Sequence, residues 1–283
     1  MDNDTAWNTL EKIDNLPTLP IVYFKVNKLL LRRDTSIEAV ARIIEIDPAM
    51  STNILRLVNS AFYGARSKSN SISQAVMILG FQAVRNAIIS VSVLNALSVK
   101  IPYRNFSITD FWRHSVSVAV ISKHLAEKTR LVSPDDAFIA GLLHDVGKII
   151  MIKYFKGDFE KILKTMEEKK CSFVDAEQEA ETIDHVLIGA YLARKWQLPD
   201  NIVQAIAGHH FYITSSKSSG LIECIMVANA MSNFRGEPIN PDDYVFEDHI
   251  ENLIKPLMSN TETWLPKAKA EIETACKFFL EGK

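Results

Sequence analysis

Apolar residues recur three and four positions apart along most of this chain, and no other feature constrains its fold as much. Ile37, Val40, Ala41 and Ile44 form one such face; Ile54, Leu55, Leu57 and Val58 form another. Alternation at a period of two is never sustained over a strand length, and no Asn-Gly or Asp-Gly pair signals a hairpin. The fold predicted is all-α. With only ten glycines and ten prolines in 283 residues to punctuate it, the chain has room for roughly twelve to fifteen helices.

Helix starts are marked where short polar side chains can take up the unpaired N–H groups of a first turn. Ser107 with Asp110 three residues on has the form of a capping box. Ser133-Pro134-Asp135-Asp136 supplies an N-cap, a first-turn proline and two first-turn acids. These signals predict helices over 108–128 and 134–153, and Pro199-Asp200 predicts another over 200–210. Gly64 and Gly80 are the expected stops of earlier helices, and Pro102, Pro238 and Pro241 mark the linkers. No repeat of solenoid period is present.

Charge and cysteine usage exclude several function classes. Lys and Arg number 32 against 34 Asp and Glu, a net charge of −2, so no global field would hold a polyanion, and sequence-independent nucleic-acid binding is not expected. Cys171, Cys224 and Cys276 lie far apart without a CxxC pair, which argues against a disulfide framework and a thiolate zinc site and fits a reducing compartment. Met1 to Trp7 carries two acids and no basic residue, so no secretory signal is expected. The most apolar stretch, Ala87 to Val99, contains Ser90, Ser92, Asn95 and Ser98 and falls short of the ~20 residues a membrane span needs. The expectation is a soluble cytoplasmic protein with no membrane or nucleic-acid partner.

Chemistry is concentrated in the histidines, of which there are seven. His124 and His249 stand in polar surroundings and are read as ordinary. His114 follows Phe111-Trp112-Arg113 on a helix with apolar neighbours, and His144-Asp145 lies inside the apolar run Gly141 to Lys148. An imidazole and a carboxylate in a core need partners, since an unpaired polar group there costs several kcal/mol. Imidazole nitrogen and carboxylate oxygen are also the ligand set of zinc, iron and manganese. On a continuous helix His144 and Asp145 would diverge by about 100°, so a shared ion would lie between them, with His114, His185, His209 and His210 arriving from other helices. Lys148, one turn beyond His144, would set a cation beside such a site, where phosphate oxygen is the natural guest.

The order His114, His144-Asp145, His185, His209-His210 resembles the HD superfamily of metal-dependent phosphohydrolases. The N-terminal half is more specific. Leu16-Pro17-Thr18-Leu19-Pro20, Asp47-Pro48-Ala49, the run Leu55 to Gly64, then Ile72, Ala75-Val76 and Leu79-Gly80 are similar to the HDOD domain, the HD-related output domain of bacterial signalling proteins. The resemblance implies an HDOD domain over 13–235, with an N-terminal helical bundle at 13–105 and an HD-like helical core at 106–235, followed by a C-terminal helical extension at 236–283. It implies His114, His144, Asp145, His185, His209 and His210 as metal ligands, with Asp145 and Lys148 as the catalytic pair if the site is active.

Two departures bear on activity. The last aspartate of the superfamily pattern falls at Asn229, a neutral and weaker ligand that cannot act as a base. After His209-His210 come Phe211-Tyr212-Ile213-Thr214, without the Gly-Tyr-Pro element of the cyclic-dinucleotide branch. The reading that follows is a bacterial signal-output or protein-interaction module without efficient catalysis, with a metal-dependent phosphohydrolase acting on a phosphoester or nucleotide as the alternative. A third reading joins them: a bound divalent metal (iron, manganese or zinc) or a small phosphorylated ligand changes the shape shown to a signalling partner. No receiver or sensor is visible, so the input is expected from another polypeptide; the oligomeric state stays open.

Overall fold

The computed structural model describes residues 3–59, 68–97, 106–210, 220–232 and 261–281, and among them are fourteen α-helices and no strand. Gly64, Pro102, Pro238, Pro241, His249 and the run Phe211 to Thr214 lie outside the described residues. Contacts divide the chain into two compact units: Met1–Leu16 with Val99–Ser259, and Pro17–Ser98 with Asn260–Lys283. Helix α1 (Asn3–Glu11) belongs to the larger one.

In the smaller unit, α2 (Ile21–Leu30), α3 (Ile37–Glu45), α4 (Pro48–Val58) and α5 (Ile72–Ala96) pack on one another. Their starts follow from their sequences: Ser36, Asp47 and Ser71 each accept a backbone N–H three residues on, and Pro48 fills the first helical position of α4. The faces read from periodicity turn inward, with Val40, Ala41 and Ile44 of α3 and Met50, Ile54, Leu57 and Val58 of α4 buried. Gly80 stops the first stretch of α5 as expected: its φ of 82° is left-handed, and the chain resumes a helix immediately after it. This α5 is the one helix among the described residues long and apolar enough to cross a membrane, yet 67% of its most apolar window is buried inside the protein.

The larger unit is built on α6 (Ile108–Thr129), which is buried on every face from Phe111 to Ser122 apart from Arg113. Against it pack α7 (Pro134–Leu143) and, further on, α13 (Gly220–Ala230). The first contact is close: a Cβ on Gly141 would meet the Ala119 backbone at 2.7 Å, so the glycine is what lets α7 lie against α6. Between them in sequence come α8 (Val146–Tyr154), α9 (Lys156–Lys169), α10 (Phe173–Glu179), α11 (His185–Lys195) and α12 (Asp200–Gly208). The last helix, α14 (Thr261–Cys276), belongs to the smaller unit and ends in a π-turn over Lys277–Glu281, where Arg56 stacks over the Phe278 ring at 4.9 Å.

The single helix expected over 134–153 is two. It breaks at His144-Asp145: α7 ends at Leu143, Asp145 turns out of the helical region (φ −99°, ψ 8°), and α8 starts at Val146. Both polar side chains are buried, at 0% and 3% exposure. The turn removes the 100° divergence a continuous helix would impose, so the two can face one interior point.

Candidate metal centre

Every residue of the expected ligand set lies around that break. The side chains of Asp145, His185, His209 and His210 bring one ligand atom each to within 4.8 Å of one another, and His114, His144 and Asp145 do the same. Asp145 belongs to both groups. Its Oδ1 faces His185 Nε2 at 3.2 Å and His209 Nε2 at 3.5 Å, while its Oδ2 faces His144 Nε2 at 3.4 Å, His114 Nε2 at 3.9 Å and Lys148 Nζ at 2.6 Å. His124 stays apart on α6, buried beside Glu127 and not in the polar surroundings expected of it.

Local structure aims the rings. His144 and His209 are the C-caps of α7 and α12, and each places Nδ1 on the carbonyl three residues back, Gly141 O at 2.7 Å and Ile206 O at 2.8 Å. His185 opens α11, and its Nδ1 lies 2.7 Å from Glu177 Oε2. A carbonyl or carboxylate can only accept, so Nδ1 carries a proton in all three rings, and each ring in its neutral form turns the Nε2 lone pair to the centre, the arrangement found in metal-ligating histidines. His114 instead sets Nδ1 on Ser232 Oγ at 3.2 Å.

Electrostatics follow the same geometry. Burial works against a charge on Asp145, but the Lys148 ammonium and His144 hold its carboxyl well below the usual carboxylate range. Burial, with His144 and His185 adding to it against the opposing pull of Asp145, brings His209 down to about 3, and burial with His209 and His185 beside it pushes His210 down as well, so both rings are neutral at physiological pH. Burial and Lys148 also push His185 down, yet the Glu177 and Asp145 carboxylates outweigh them and bring it up to about 9.

The set fits a divalent cation on structural grounds. His144 Nε2, Asp145 Oδ1, His185 Nε2, His209 Nε2 and His210 Nε2 are buried without a hydrogen-bond partner. Each buried unsatisfied group costs about 1–3 kcal/mol, so four imidazole nitrogens gathered around one carboxylate are the donor set a divalent ion would satisfy. Glu177 and Asp184 also lie near His185, but both Glu177 oxygens are taken by His185 and Asp184 caps Val186 N–H, so these acids position rather than ligate. Glu177, Ser232 and Phe173, whose ring lies 4.7 Å from Lys148 Nζ, were not legible in the sequence. Asn229 lines the same cavity as His114, Asp145 and Lys148.

An all-helical core with a buried His-Asp centre of this kind defines an HD-like domain. The model of the HDOD domain matches residues 16–212, and the chain belongs to that family. The crystal structure of an HDOD domain protein of unknown function from Geobacter sulfurreducens superposes with a TM-score of 0.77 at 25% identity, covering 99% of this chain and 100% of that one. An uncharacterised protein of Treponema pallidum is 26% identical over 208 residues, 72% of this chain and 39% of its own length. Ribonuclease Y of Mesoplasma florum is 31% identical over 133 residues, 47% of this chain and 20% of its own. The match thus spans well under half the length of these two relatives.

Proposed function

We propose that this HDOD protein is a cytoplasmic signal-output module whose HD-like core holds a divalent metal and binds a small phosphoester beside it, the occupied state being what a signalling partner protein reads. One observation carries the reading: four buried imidazole nitrogens gather around Asp145, and neither they nor its Oδ1 have a hydrogen-bond partner. His185, His209 and His210 would hold an ion with Asp145 on one side of that carboxylate, and His114 and His144 lie together on its other side. When bound, such an ion supplies Lewis-acid polarisation of a phosphoryl oxygen and a lowered pKa for water. Lys148 holds its ammonium against Asp145 at the edge of the cavity, where an incoming phosphate oxygen can take it over. Asn229 brings an amide where a carboxylate would add a base, which favours binding over turnover.

Metal content per chain, measured by plasma mass spectrometry on protein purified without chelator or affinity tag, tests this. Near-stoichiometric iron, manganese or zinc that disappears in a His144→Ala, Asp145→Ala double variant is the expected result. Substoichiometric metal, equal in both proteins, overturns it.

Hydrolysis of the bound ester is a second reading, supported by Lys148 at the cavity and by the likeness to ribonuclease Y over 133 residues. Phosphate release from phenyl phosphate by the metal-loaded protein, abolished by Asp145→Ala, would establish it; release that survives the substitution would discard it.

A further inference from the structure

The cavity beside Asp145 is unequal at its two ends. Its polar end carries one ammonium, Lys148, and no other basic side chain besides the His114 imidazole among the described residues that line it. The rest of its wall is apolar and largely aromatic: Phe106 and Phe111 around the start of α6, Leu163 and Met166 one turn apart on α9, and Phe173 at the start of α10. Phe106 and Phe111 are buried, whereas Leu163, Met166 and Phe173 are half-buried, so the apolar wall reaches from the floor toward solvent. Phe173 joins the two ends, with its ring edge-on to His185 at 5.6 Å and Lys148 Nζ over its face. The cavity volume is about 340 Å³, at the small end of the roughly 300–1,000 Å³ of ligand sites.

Each of these features excludes something. One ammonium beside the metal can take one phosphate, and the apolar wall beyond them offers no cation to the further charges of a polyphosphate. A wall of three phenyl rings, a leucine and a methionine offers a polar ligand body few partners, and burying polar groups there is unfavourable. The volume holds one ring system with one phosphate.

We infer that the ligand of this centre is a monophosphate ester of a flat apolar or aromatic group, with the phosphate on Lys148 beside the metal held at Asp145 and the ring against Phe173, Leu163 and Met166. This deepens the reading of the centre as a phosphoester site and rests on it. Phe173 is then a specificity residue: its face receives the ring, and its contact with Lys148 keeps the ammonium at the junction of the two ends.

Calorimetric titration of the full chain, as purified, with phenyl phosphate, inorganic phosphate and tripolyphosphate tests the assignment. Phenyl phosphate should bind about tenfold more tightly than inorganic phosphate, as one ring packed on aromatic walls would give, and tripolyphosphate should gain nothing over inorganic phosphate. Phe173→Ala should remove the preference for phenyl phosphate over inorganic phosphate, a ratio in which any shift of Lys148 common to both ligands cancels. Met166→Ala, at a half-buried position, should weaken phenyl phosphate alone and guards against a folding defect in the first variant. Equal affinities for phenyl and inorganic phosphate, or tighter binding of tripolyphosphate, overturn this inference and leave the phosphate site standing. Failure of all three probes to bind overturns both.

Discussion

Glu177 holds His185 at two points, accepting its backbone N–H at 2.8 Å on one carboxylate oxygen and its ring Nδ1–H at 2.7 Å on the other. Both residues are buried, so the pair fixes where α11 begins and which ring nitrogen faces Asp145. Such outer partners typically contribute 10–100-fold to metal affinity. Glu177→Gln can satisfy only one of the two donors as an acceptor of the same strength, and a loss of about tenfold in metal affinity is expected. Competition against a chromogenic chelator reads it, with circular dichroism as the check on fold; an unchanged affinity would mean that packing alone holds the ring.

Asn229 lines the cavity with His114 and Asp145, at the position where the superfamily pattern has a carboxylate. Asn229→Asp adds a charged oxygen donor to that side and should raise metal affinity about tenfold, ligand charge being a principal control of divalent binding. The same competition assay applies, and a weaker or equal affinity would place Asn229 beyond reach of the ion.

Gly147 on α8 lies against the first turn of α11, where an added Cβ would come within 1.9 Å of the His185 carbonyl oxygen and 2.9 Å of Gly189 N. Backbone cannot rotate away as a side chain can, so Gly147→Ala should cost about 3 kcal/mol or more, the upper end of overpacking. Gly157 near the start of α9 is exposed and has nothing within 4 Å of its Cβ direction. Gly157→Ala should therefore stabilise by about 0.5–1 kcal/mol through helix propensity and unfolded-state entropy. Urea unfolding of the two variants side by side decides both signs.

Tyr23 in α2 is buried, and burial pushes its phenol up to about 12, with Arg85 opposing in part. The unfolded phenol ionises near pH 10 and the folded one two units higher, so the unfolded chain releases its proton first. Stability is thus present below pH 10 and lost as pH rises from 10 to 12. Tyr23→Phe should unfold less readily than wild type at pH 11 and no more readily at pH 8, since the buried hydroxyl makes no hydrogen bond. A wild type that loses no more stability than the variant over that range would contradict this.

Burial pushes the Cys224 thiol up to about 11, with Glu223 adding to the effect, and Cys276 is buried as well. Cys171 is half-buried at the end of α9. Reaction follows the thiolate and its access, so a chromogenic disulfide reagent at pH 8 should consume one thiol quickly and the other two only on unfolding. Two fast thiols in the native protein would show that α13 or α14 opens.

The helical content and most helix starts were legible because they are local: a serine cap, a first-turn proline and a repeating apolar face act within one or two turns. The break at His144-Asp145 was not, because Leu142-Leu143 before it and Val146, Ile149 and Ile150 after it continue one helical pattern across the turn. What selects the turn is the gathering of His185 and His209 around Asp145, which is set by packing far along the chain. The ligands themselves could be named as residue types in an apolar setting and by family likeness. Glu177 could not, since it stands among Asp175, Glu179 and Glu181 in an acidic stretch where nothing local distinguishes the one carboxylate that is buried.

The turn at Asp145 leaves the central carboxylate in a joint and not in a rod. Helices α7 and α8 meet there as two levers, one lying along α6 and the other along α11. The angle between the two levers is set at Asp145, so a substitution that changed its φ and ψ would swing the far ends of α7 and α8 while barely displacing the carboxylate.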